Sequence, residues 1–171
     1  MKKQTLVIAF LFALVNLTTI HAQTTFEAPE NPVLKTKQDF LKFEPQIIQA
    51  AKWLEETDLD KEPEKRKKVS AFVVQYVSDC PTMNLVINEP LVKIYDKNSP
   101  LLTVFIANYA KNFIENKTTA TKLTATKAGI LSMMTVYNKK INIVKSKEMD
   151  KLINLAEMDL LDDYIKDKFK Q

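Results

Sequence analysis

Apolar side chains recur along this chain at intervals of three and four, the period of one face of an α-helix. Val69, Phe72, Val73, Tyr76, Val77 and Cys80 fall at offsets 0, 3, 4, 7, 8 and 11, one stripe that Pro81 breaks off. Pro63 starts that helix, with Glu62 and Glu64 near its positive end, where acidic side chains are favoured. Ahead of it, Ile47, Ile48, Ala51 and Leu54 mark a helix that Pro45 opens as a first-turn proline and that runs to about Glu56. Trp53 stands at the edge of its apolar stripe. Residues 39–43 read as a separate helical turn docked on the domain, and 57–62 as an acidic loop.

Beyond Pro81, residues 82–88 alternate Met83, Leu85 and Ile87 with Asn84, Val86 and Asn88, the pattern of a short extended piece. Asn88 and Pro90 supply the cap and opening turn of a short helix to about Asp96, and Ser99-Pro100 repeats that signal. From 101 to 114 the chain is apolar nearly all round. Leu102, Phe105, Ile106, Tyr109, Ala110 and Phe113 line the main face, and Asn108, Lys111, Asn112 and Glu115 leave a narrow polar strip. A helix of that kind belongs at the centre of a domain. The stretch 118–140 continues with Leu123, Ile130, Leu131, Met134 and Tyr137. Gly129 interrupts it at a cost of about 1 kcal/mol against alanine, so either a neighbouring helix passes close there, the favoured reading, or the segment is two helices. Ser146 caps a last helical region through Met149, Leu152, Ile153, Leu161 and Ile165, kinked near 157–159. The fold expected is all-α: an irregular or orthogonal bundle of about five to seven helices over residues 37–171, preceded by a flexible or extended arm at 23–36.

The first 22 residues follow a different pattern. Lys2 and Lys3 precede an unbroken apolar run over 6–15, and Ile20-His21-Ala22 places a small residue where a signal peptidase cuts. The run is too short and too early to span a bilayer comfortably, so 1–22 reads as a cleavable signal peptide rather than a retained anchor. No cysteine lies near the cleavage point to take a lipid, and charges interrupt every later apolar stretch, so no membrane span is expected after cleavage. The expected location is the periplasm or the outside of the cell.

Composition then narrows the chemistry. Removing positions 1–22 leaves 23 basic and 21 acidic side chains, and the only histidine, His21, goes with the leader. Histidine-based triads, His/Cys zinc sites and glycine-rich phosphate loops lack their residues, so no cofactor is expected. The basic side chains are 24 lysines and a single arginine, with frequent asparagine and isoleucine, the bias of an AT-rich genome. Asn116-Lys117-Thr118 matches a glycosylation sequon, read as chance in a bacterial chain.

The stretch Ala51-Lys52-Trp53-Leu54-Glu55-Glu56-Thr57, then Lys65-Arg66-Lys67, Ser70-Ala71-Phe72 and Ser78-Asp79-Cys80-Pro81-Thr82, resembles a group of small secreted proteins from Gram-negative bacteria. The likeness covers the leader and about the middle third of the chain. It implies a secreted, mostly helical protein and brings no activity with it.

Five features invite a site. Lys65, Arg66, Lys67 and Lys68 form the densest basic run, a candidate surface for an anionic partner, set against a plain solvated face with a Glu64–Lys68 pair. Nucleic acid is disfavoured by the leader and the small net charge. Cys80 has no histidine to activate it and no second cysteine to pair with in the chain. It reads as a buried structural thiol on the helical stripe, with an intermolecular disulfide as the rival. Asp58, Asp60, Glu62 and Glu64 alternate but lack the glycine of a calcium loop, which favours a charged linker. Asp159, Asp162, Asp163 and Asp167 sit beside lysines on a helical surface. Catalysis by carboxylates alone needs only two acids facing each other, and a Ser–Lys pair using Ser132 or Ser78 stands on the same terms. The expected function is non-catalytic: an envelope protein that binds another protein or a small apolar ligand, or a structural protein. A small carboxylate-only hydrolase is the rival, and an acid pair in a concave pocket is what separates them.

Overall fold

A computed structural model describes residues 25–169. The proposed signal peptide at 1–22 lies outside the described residues. Among those described there are seven α-helices and no strand: α1 (Lys37–Glu56), α2 (Pro63–Asp79), α3 (Glu89–Tyr95), α4 (Leu101–Glu115), α5 (Lys122–Asn138), α6 (Lys147–Glu157) and α7 (Leu161–Lys168). The apolar helix expected at the centre is there. α4 packs on α5, α1 and α2, while α6 and α7 close the far side against α5, and α3 meets α6. Leu101, Val104, Ala107 and Ala110 of α4 are wholly buried. Gly129 of α5 permits the α4–α5 contact: a Cβ there would stand 2.9 Å from the Phe105 carbonyl oxygen, tighter than packed atoms tolerate.

Three helix starts follow from their caps. Thr36 and Asp39 form a reciprocal capping box that starts α1 eight residues before Pro45, so 39–43 and the following helix are one element. Pro45 sits inside that helix, not in its first turn. It is exposed, and so is Leu41, whose carbonyl the proline cannot serve, so water can take that acceptor. Thr121 caps α5 by the same box with Thr124, so the helix starts at Lys122 rather than at 118. Asn88 caps α3 by accepting from the Leu91 N–H at 3.2 Å.

The expected kink near 157–159 is a full break: Asp159 takes φ 61° and α7 starts afresh at Leu161. Residues 83–88 are irregular rather than paired as a strand, with Met83 buried and Val86 and Ile87 exposed. The arm is extended, and its described part is seated on the domain rather than loose. Phe26 and Leu34 are buried, with the Phe26 ring 6.4 Å from that of Phe72. Buried Asn98 fastens the α5–α6 connection by exchanging two 2.8 Å hydrogen bonds with the backbone of Val144.

Candidate functional site

The basic run does not make one surface. Lys67 and Lys68 are exposed on α2, but Arg66 points inward and is 7% exposed. Its Nη2 donates to the Thr57 carbonyl at 2.7 Å and the Asp58 carbonyl at 3.1 Å, and Nη1 reaches the Leu54 carbonyl at 3.5 Å. Burial lowers its pKa, opposed by the nearby Asp58 and Glu62 charges. Lys65 is held by Glu27 at 3.0 Å and Glu62 at 3.3 Å. Both cations lie 5.3 Å from the centre of the Trp53 ring, which is wholly buried instead of at the edge of its stripe.

Arg66 therefore serves the C-terminus of α1, whose last carbonyls have no partner within the helix. Lys139, just past α5, completes the work by donating to the Glu55 and Glu56 carbonyls, both at 2.7 Å. The Thr57 N–H takes the Trp53 carbonyl at 2.9 Å. Two cations and one amide thus satisfy the whole terminal turn, and the cations also complement the negative end of the helix. One signal for this was in the sequence: a single arginine among lysines marks a place that needs a planar fork with several donors.

Three of the four acids of the segment 58–64 are similarly occupied, and Glu64 is exposed on α2. Asp58 faces Lys139 at 3.8 Å, Asp60 pairs with Lys61 and Glu62 with Lys65. Near the chain's end, Asp162 pairs with Lys127 of α5 at 2.7 Å, which ties α7 to its neighbour. Ser132 is buried in α5 and Ser78 is exposed on α2.

A cleft of about 590 Å³ opens beside the first half of α1. Its apolar wall comes from Phe40 and Leu41 of α1, Tyr76 of α2, Met83, and Phe113 and Ile114 of α4, with Cys80 and Thr82 at one corner. Cys80 is 8% exposed and its sulfur lies 3.3 Å from the Thr82 hydroxyl. The Tyr76 hydroxyl donates to the Phe40 carbonyl at 3.4 Å, and burial pushes its pKa up. Three charged groups line the cleft: Lys37, Glu44 and Lys117. Glu44 of α1 and Lys117, in the loop after α4, form an ion pair at 2.7 Å.

A second groove, of about 630 Å³, runs between the arm and α2 and is lined by Glu27, Glu30, Lys68, Phe72 and Gln75 among others. It carries two carboxylates where the first cleft carries one, but both belong to exposed arm residues and Glu27 is tied to Lys65. Tyr76 and Phe113 were expected on apolar helix faces, and the cleft that they border with Phe40 was missed. Nothing local in the sequence brings Glu44 to Lys117, 73 residues later.

Among the described residues no cluster of His, Cys, Asp and Glu has the arrangement of a metal site, and no helix is long and apolar enough to cross a membrane. In comparisons with known proteins, no family model, no curated protein and no solved structure matches this chain.

Proposed function

We propose that the protein is an exported, non-catalytic binding protein of the bacterial cell envelope, and that the cleft beside α1 receives a small apolar ligand. The observation that carries this reading is the cleft itself. Its volume of about 590 Å³ falls within the range of about 300–1,000 Å³ typical of small-molecule sites, and its wall is mainly hydrophobic and aromatic with few polar groups. Its one carboxylate, Glu44, is held by Lys117 and so acts as a strut between α1 and the α4–α5 loop. Export rests on the sequence of residues 1–22 and on the resemblance to secreted proteins.

Three measurements test it. Intact mass of the protein recovered from an envelope fraction is expected to start near Gln23, and a retained Met1 overturns export. Titration of the mature protein with decanol, a neutral single-chain probe, is expected to saturate at one molecule per chain. No saturable binding overturns the ligand reading. Hydrolysis of aryl glycosides that disappears in Glu27→Gln or Glu30→Gln replaces it with the carboxylate hydrolase.

A further inference from the structure

Resting on that reading, we infer that the ligand of the cleft is a single-chain amphiphile with an anionic head, seated with its chain against Phe40, Met83 and Phe113 and its head between Lys37 and Lys117. The charge at the cleft's lining is unequal. It holds two lysines and one carboxylate, and the carboxylate is already engaged by Lys117 at 2.7 Å. Lys37 has no ion pair among the described residues and is exposed at the start of α1, one turn before Phe40. An apolar wall that ends in net positive charge favours a ligand whose apolar body ends in negative charge. Lys117 is also more than half exposed, so its ammonium can take a second acceptor without leaving Glu44. A cationic head meets two like charges there, and a neutral head offers Lys37 no countercharge.

A fatty carboxylate and a lysophospholipid share this chemistry. Decanoate, decanol, decyltrimethylammonium and decanoyl-lysophosphatidylglycerol, each below its micelle concentration, separate the possibilities by calorimetric titration of the mature chain. Decanoate is expected to bind about five- to tenfold more tightly than decanol, about 1–1.4 kcal/mol, and the trimethylammonium probe more weakly than either. The tighter of decanoate and the lysolipid identifies the source of the head. Lys37→Glu is expected to remove the preference for decanoate while leaving decanol binding in place. Glu44→Gln is expected to strengthen the two anionic probes and not decanol, because it frees Lys117 for the head. Leu41→Trp, at an exposed position on the cleft wall, is expected to block all probes while the circular dichroism and urea midpoint stay native. Equal binding of decanol and decanoate, or a preference that survives Lys37→Glu, overturns the anionic head and leaves the apolar site standing. Decanol binding unchanged in Leu41→Trp overturns the location, and no binding of any probe overturns both readings.

Discussion

The two halves of α1 solve opposite problems. In its C-terminal turn Trp53 and Leu54 are fully buried, and every carbonyl of that turn is taken by Arg66, Lys139 or Thr57. In its first half Phe40, Leu41 and Glu44 border open space. A buried polar group must find its partner or the fold loses the full desolvation cost, so the polar end is closed. An apolar wall carries no such obligation atom by atom, and an incompletely covered one leaves room for a guest. Closure at one end and vacancy at the other thus follow from the chemistry that each end exposes.

The sharpest break in that contrast is Arg66→Ala. It strips donors from three carbonyls, two of them buried, and a cation from the Trp53 face. The expected loss is about 3 kcal/mol in urea unfolding. Arg66→Lys is expected to recover only part of it, since one ammonium cannot span acceptors from Leu54 to Asp58 as a guanidinium fork does. A loss of less than about 0.5 kcal/mol for Arg66→Ala, the scale of an ordinary surface change, means the helix end is not closed by this side chain.

Cys80 tests the open half. It lies at the C-cap of α2, nearly covered, at the corner of the cleft. Cys80→Ala is expected to cost about 1 kcal/mol through lost packing, well below the Arg66 change. Thiol labelling of the native protein is expected to be slow and to become fast in denaturant. Rapid native labelling, or a disulfide-linked dimer from envelopes, transfers the sulfur from the wall to the outer surface.

How far the sequence carried this comparison depends on the range of the forces involved. The helical stripes of α2 and α4, the Asn88 cap and the close passage at Gly129 were legible from residues within one or two turns, whereas the interruption near 157–159 was legible as a kink and not as the full break it is. Pro45 misled because a first-turn proline and an exposed interior one look alike until the Thr36–Asp39 box is recognised upstream. Trp53 and Arg66 misled for a different reason. Their burial depends on α2 folding back over the end of α1. The basic run looked like a surface because sequence counts charges without showing which of them turn inward. The cleft was invisible because a void is a property of several helices together and of no single period.

The smallest expected effect concerns the other cap of α1, and it separates the two ends by pH. Asp39 accepts from the Thr36 N–H at 2.8 Å, the Lys35 N–H at 3.1 Å and the Thr36 hydroxyl at 2.9 Å. The bonds to Thr36 backbone and side chain, then the one to Lys35, hold its carboxyl below its ordinary value of 3.8. A carboxyl depressed in the folded state contributes stability that is fully present above the unfolded value and is lost as pH falls through the folded one. The difference in urea midpoint between the native chain and Asp39→Asn is therefore expected to be constant at neutral and mildly acidic pH. It is expected to close only below 3.8, as Asp39 itself becomes protonated. The Arg66→Ala difference is expected to survive over the same range, because Arg66 keeps its charge and its hydrogen-bond acceptors are carbonyls, which do not titrate there. An Asp39 difference that persists unchanged well below 3.8 shows that the neutral carboxyl caps as well as the anion. The charge would then be incidental, and acid would not loosen the N-terminal half of α1 before the closed end.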